Sequence, residues 1–199
     1  AYMPQDDQTW YATISEGFRR GGINAVPTEG TFIEEDGWVP FNADKVLNYE
    51  LGRKGVTSNN IYYNLSFYKV VWKDPQLNTD TPNYSFYAVI NGDQAETQGF
   101  DLELSGSLGK FDWDFGYARN SSELTADLIT PASTPALYAS NGTTLPGTPE
   151  NMLNAGLAYT TYLDNGWGLV HRANIYHQSE MQNHLSSSTD YNQDLDAFS

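Results

Sequence analysis

Hydrophobic and polar residues alternate with period two along several stretches of this chain, and each such stretch predicts a β-strand with one apolar and one polar face. Phe100, Leu102 and Leu104 interleave with Asp101 and Glu103, and Phe111, Trp113, Phe115 and Tyr117 with Asp112, Asp114 and Gly116. Leu153, Ala155, Leu157 and Tyr159 repeat the pattern, as do Leu47, Tyr49 and Leu51 around Asn48 and Glu50. Ile61, Tyr63, Leu65 and Phe67 follow it more weakly, and two further runs carry a defect: Glu16 interrupts Trp10, Ala12, Ile14 and Phe18, and His171 interrupts Leu169, Ala173 and Ile175. The expectation is seven strands, with an eighth opening near Leu195.

The connections alternate in length. Short links at 52–60, 106–111 and 163–168 are followed by long polar ones at 19–44, 73–95, 121–150 and 183–194. Because each short link joins strands in the same sense, all long loops fall on one rim and all tight turns on the other, as in an outer-membrane barrel. Loops of this length without structure of their own suggest function. Trp10, Trp72, Trp113, Tyr117, Tyr159 and Trp167 stand near strand ends or turns and are candidates for aromatic girdles at the headgroup level.

Composition narrows the choice. With 10 Lys and Arg against 25 Asp and Glu, a net charge of −15 argues against nucleic acid as a partner. No apolar run approaches the roughly 18 residues of a spanning helix, so only a barrel of strands would place the chain in a membrane. Cysteine is absent, which excludes disulfides, zinc-thiolate sites and thiol nucleophiles. Neither end resembles a natural terminus, so the chain reads as a fragment of a longer protein.

Enzymatic chemistry finds no anchor. There is no G-x-S-x-G elbow and no phosphate-loop spacing, and paired acids such as Asp101 and Glu103 recur on one strand face as a lumen requires. His171 and His177 share a face but stand about 20 Å apart in a strand, so no metal and no cofactor are expected there. The triplet Glu34, Glu35 and Asp36 reads as a solvated loop rather than a calcium site.

Five segments carry a resemblance to a known family. They are Trp10 through Gly22, ending Gly17-Phe18-Arg19-Arg20-Gly21-Gly22; Asn48-Tyr49-Glu50-Leu51-Gly52-Arg53-Lys54-Gly55; Phe67 through Gln76; Glu96 through Leu104; and Pro149 through Asn154. In this order they resemble the C-terminal β-barrel region of TonB-dependent outer-membrane receptors. The resemblance implies an all-β fold: an antiparallel transmembrane barrel segment of seven to eight strands, cut from a barrel of about 22 whose lumen holds an N-terminal plug. On that reading residues 1–199 are part of one barrel domain, without the plug or the final strands.

It also implies a transporter and not an enzyme, in the outer membrane of a Gram-negative bacterium. Such a receptor actively takes up a scarce large solute, with ferric siderophores the commonest cargo, using its own plug and a TonB-type energy-coupling protein. A passive porin-like barrel and a soluble all-β carbohydrate-binding module are the alternatives; the module would pack its apolar faces on each other. Glu50, Asp101, Glu103, Asp112, Asp114 and Arg172 are expected to face the lumen. Arg19, Arg20, Phe32, Trp38, Tyr84 and Tyr87, on or beside the long loops, are the candidates for meeting a small-molecule or chelate substrate.

Overall fold

A computed structural model describes residues 1–5, 7–185 and 197–198. Seven long strands dominate it: β2 (Gln8–Arg19), β5 (Asp44–Val56), β6 (Tyr62–Lys73), β9 (Gln94–Leu108), β10 (Phe111–Leu124), β13 (Asn151–Tyr162) and β14 (Gly168–Gln178). Two short strands, β1 (Tyr2–Gln5) and β15 (Ala197–Phe198), extend the sheet at its edges. The order β1-β2-β5-β6-β9-β10-β13-β14-β15 is an open antiparallel meander in which every strand pairs with its neighbours in the chain's order of long strands. The seven expected strands are these seven, while the opening of an eighth at Leu195 lies outside the described residues.

At 11 to 15 residues, the long strands match or exceed the roughly 9–11 residues that a tilted strand needs to cross a bilayer. Tight turns close one rim. Between β9 and β10 only Gly109 and Lys110 intervene, and a two-residue hairpin of this kind needs a positive φ at its first central position, which Gly109 supplies at 64°.

Register sorts side chains by face. On one face Ala12, Leu51, Phe67 and Phe100 lie side by side across four strands, and Tyr117 and Leu153 pair one row further on. The opposite face carries Thr13 opposite Glu50 and Tyr68, Ser66 opposite Asp101, and Asp114 opposite Gly156. Bulky polar-face side chains are seated over glycines: a Cβ on Gly52 would lie 2.3 Å from the Tyr11 ring, and one on Gly99 would lie 2.6 Å from the Tyr68 hydroxyl. Tyr11 thereby donates to Glu50 at 2.7 Å.

The two defects in the alternation have partners on the apolar face. Glu16 pairs with Lys45 at 2.7 Å, and His171 stacks on Tyr159 with ring centroids 6.4 Å apart. Among the described residues no second sheet covers this face; Ile14, Phe18, Leu51, Phe67 and Leu157 all remain exposed. That arrangement removes the soluble module, whose apolar faces would have met.

The long loops are not structureless. Residues 20–43 contain β3 (Gly22–Ile23), a 3-10 turn (Asp36–Trp38) and β4 (Pro40–Phe41); residues 74–93 contain the hairpin of β7 (Gln76–Asp80) and β8 (Tyr87–Asn91); residues 125–150 contain β11 (Leu128–Ile129) and β12 (Leu137–Ala139). The buried hydrophobic core lies here and not in the sheet. Val26, Trp38, Leu77, Ala88, Ile90, Leu128, Ala139, Leu145 and Leu185 come from four loops, joined by Ala95 and Leu124 at the loop-side ends of β9 and β10.

Candidate functional site

Where strand gives way to loop, one carboxylate organises the junction. Asp44 opens β5 and its side chain is almost fully buried. Arg19, directly opposite it at the end of β2, donates to it through Nε and Nη2, and the Arg19 backbone N–H donates at 3.1 Å. The Trp72 indole N–H donates to the same carboxylate at 2.7 Å, and the Gln76 backbone N–H at 3.3 Å. The guanidinium also lies 5.0 Å over the Trp72 ring. A buried charge is tolerable only when paired and hydrogen-bonded, and this one has a cation and further N–H donors.

One expectation is corrected by this arrangement. Arg19 is ion-paired with Asp44 while its side chain stays half exposed, so it also serves the loop junction. Trp72 sits on the polar face, opposite Ala95 and on the side of Asp44, and leaves the girdle set. Trp10, Trp113, Tyr117 and Tyr159 do lie on the apolar face, and Trp167 is exposed in a tight turn.

The loops are fastened to each other by buried polar groups. Glu34, only 2% exposed, accepts hydrogen bonds from Thr81 Oγ1 at 2.7 Å, Asn83 Nδ2 at 3.0 Å and the Tyr84 backbone N–H at 3.1 Å. Asn24 donates to the carbonyls of Trp38 and Val89, both at 2.8 Å, and accepts from the Val89 N–H at 2.9 Å. Glu35 accepts from the Ser133 backbone N–H, which holds its carboxyl below the ordinary 4.5. Within the acidic triplet Glu34 alone is buried, while Glu35 and Asp36 are exposed to solvent as expected of a loop; Glu34 and Glu35 nevertheless tie loop to loop.

Trp38 is the second candidate that the structure reassigns. At 1% exposure its ring is a centrepiece of the loop core and unavailable for surface capture. Phe32, Tyr84 and Tyr87 do stand at the surface; Phe32 meets Tyr84 edge-on with centroids 5.3 Å apart, and the Tyr84 hydroxyl donates to the Thr31 carbonyl at 3.0 Å. Arg20 is exposed, with its carbonyl accepting from Gln76 Nε2 at 2.9 Å.

Beneath the loops a cavity of about 360 Å³ opens, lined by Arg19, Trp72, Gln76, Thr97, Ser122 and Leu145 among others. At the opposite, tight-turn end of the polar face a shallower depression of about 660 Å³ gathers Asp112, Asp114, Arg172 and Asn174. Glu50, Asp101, Glu103, Asp112, Asp114 and Arg172 all share the polar face by register. Among the described residues none of these six forms an ion pair; Glu103 accepts from Asn64 at 3.2 Å and Asp112 from Ser107 at 2.6 Å.

An open antiparallel meander with one apolar face, an acidic opposite face and a folded cap of long loops on one rim defines a wall segment of a large outer-membrane barrel. The family described as TonB dependent receptor-like, beta-barrel matches residues 1–198, and the chain belongs to this family. Its members are outer-membrane proteins of Gram-negative bacteria, receptors and transporters rather than enzymes.

Relatives include the "Pesticin receptor" of Yersinia enterocolitica, 32% identical over 127 residues, and that of Yersinia pestis, 31% identical over the same length. Each alignment covers 63% of this chain and 18% of the relative. Among solved structures, the ferric yersiniabactin uptake receptor FyuA from Yersinia pestis superimposes with a TM-score of 0.69 at 22% identity, covering 99% of this chain and 27% of that one. The siderophore receptor PirA from Acinetobacter baumannii gives 0.57 at 12% identity, covering 93% of this chain and 28% of that one. Both likenesses show the fold.

Proposed function

We propose that this chain forms part of the wall and the surface cap of a TonB-dependent receptor that actively imports a ferric siderophore across the outer membrane. Family membership over residues 1–198 carries the reading. The relatives' names support the cargo, since one structural neighbour is a ferric yersiniabactin uptake receptor and another a siderophore receptor.

On this reading the apolar face meets lipid and the polar face lines the lumen. The uncompensated acids Glu50, Asp101, Glu103, Asp112 and Asp114 then meet basic groups of a plug domain, because carboxylates withdrawn from water need cationic partners. Phe32, Tyr84, Tyr87 and Arg20 form the outer surface that the chelate reaches first, and the cavity beside Arg19 and Trp72 lies on its way inward. The wall itself makes and breaks no covalent bond. Energy enters through the plug and a TonB-type coupling protein.

Uptake of radiolabelled iron from a panel of ferric siderophores tests this, in an iron-starved host with and without the gene and with and without the energy-coupling protein. At least one siderophore should lose its uptake in both deletions. Uptake that persists without the coupling protein, together with free passage of small solutes, would instead establish a passive barrel.

A further inference from the structure

On the apolar face toward the loop rim, Lys45, Lys69 and Arg119 each pair with a carboxylate, namely Glu16 at 2.7 Å, Glu96 at 2.7 Å and Glu150 at 2.8 Å, while Lys73, the last residue of β6, is exposed to solvent. Arg53 stands near the tight-turn rim, three residues before the end of β5, and among the described residues it has no carboxylate partner. Its guanidinium is held between two rings, 4.9 Å from Trp10 on the neighbouring strand and 5.4 Å from Tyr63 diagonally across on the other side. Nη2 donates to Gln8 Oε1 at 2.6 Å, while Nε is covered by neighbouring atoms and has no acceptor. Of the five N–H donors on a guanidinium, one thus has an acceptor within the protein.

A lone cation on a lipid-facing strand is costly at the bilayer centre and cheap only near the interface, where it reaches an anion. Trp10 lies two residues after the start of β2 and Tyr63 is the second residue of β6, so all three side chains sit at the level where aromatic rings meet headgroups. Stacking fixes the plane of the guanidinium, and a fixed planar fork matches two oxygens of a phosphate.

We propose that Arg53, held between Trp10 and Tyr63, is a binding site for the phosphodiester of a phospholipid in the leaflet at the tight-turn rim. The proposal rests on the outer-membrane barrel reading above. The paired cations toward the loop rim have their charge met within the chain; Arg53 has its charge met by lipid.

The test uses the full reading frame that contains this chain, purified from outer membranes in mild detergent, with retained lipids counted by native mass spectrometry during titration with phosphatidylglycerol. Wild type should hold one phosphatidylglycerol more tightly than Arg53→Gln by roughly fivefold, the worth of about one basic residue at an anionic surface. Arg53→Lys, which keeps the charge and loses the stacked fork, should fall between them.

An uncharged galactosyl diacylglycerol should not displace the bound lipid, and neither should inorganic phosphate alone. Equal retention by wild type and Arg53→Gln overturns the site, as does equal competition by the galactolipid. Displacement by inorganic phosphate overturns the lipid as its occupant. Should Arg53→Gln not assemble, the wild-type competition decides the matter alone. A receptor missing from the outer-membrane fraction would defeat the barrel reading itself, whereas equal retention in a correctly localised receptor defeats only the lipid site.

Discussion

The sheet and the loop cap hold themselves together by opposite means. In the sheet, large apolar side chains such as Ile14 and Phe67 are exposed, and order comes from antiparallel backbone pairing across seven long strands. In the cap, Trp38, Leu77, Leu128 and Leu185 are buried as in a small water-soluble domain, with Glu34, Asn24 and Asp44 satisfied between loops. The hydrophobic effect therefore operates inside the cap, while the sheet relies on lipid to cover its apolar face. A substitution that damages one region should leave the other largely intact.

Trp38→Ala makes the sharpest break. Removing a buried tryptophan costs about 3–5 kcal/mol, and here that loss falls on a cap that is thin and built from loops. The expected result is rapid proteolysis of residues 20–43 and 74–93 in intact cells, with an undiminished heat-modifiable barrel band on unboiled gels. Loss of the barrel band together with the loops would show that cap and sheet fold as one unit.

Adjacent residues on β2 test the sheet. Ile14 faces the apolar side and Thr13 the polar side, opposite Glu50. Ile14→Arg should destabilise the inserted barrel by about 2–4 kcal/mol if it lies near the bilayer centre. Thr13→Arg, one residue away, gains an acidic neighbour and should change little. Urea titration of the refolded receptor in vesicles measures both, and equal effects would break the assignment of faces.

The contrast also explains what the sequence revealed. Period-two alternation is a local property, so the seven strands and the shared polar face of Glu50, Asp101, Glu103, Asp112, Asp114 and Arg172 were readable without coordinates. Trp72 escapes a reading by period because its strand carries large residues on both faces toward the loop rim: Val71 and Trp72 are consecutive, and register alone decides which meets Asp44. The cap was unreadable for a different reason. Its short strands of two to five residues have no detectable period, and Trp38 is buried by contacts from loops distant in sequence. Nothing local marks Glu34 or Asp44 as buried acids, since their donors come from Thr81, Asn83, Trp72 and Gln76.

Asp44 joins the two regions, and its substitution should have an intermediate effect. Asp44→Asn removes the charge opposite Arg19 and leaves buried donors poorly matched, a loss of about 1–3 kcal/mol at the junction. Arg19→Ala should cost less, because Arg19 is half exposed and Asp44 keeps its Trp72 and Gln76 donors. Hydrogen exchange of the 20–43 and 74–93 amides reads both. If Arg19→Ala proved the more damaging, the carboxylate would not be the centre of the junction.

The smallest effect belongs to Glu35, which links the first cap loop to the third through the Ser133 N–H. Its carboxyl is held below the ordinary 4.5 by that backbone donor and the Ser133 hydroxyl, so the contact favours the ionised form. A carboxylate with a depressed value contributes its stability above the usual titration range and loses it as pH falls through the lowered value. The Ser133 amide should accordingly be protected from exchange at neutral pH in wild type and less so in Glu35→Gln. The two proteins should converge only below pH 4.5, once corrected for the intrinsic exchange rate. Because the group is fully exposed, water screens the interaction and the change should stay confined to residues 125–150, leaving Trp38 and the sheet unaffected. A Ser133 protection that does not respond to pH would mean that the third loop is held by its own buried Leu128 and Ala139 alone.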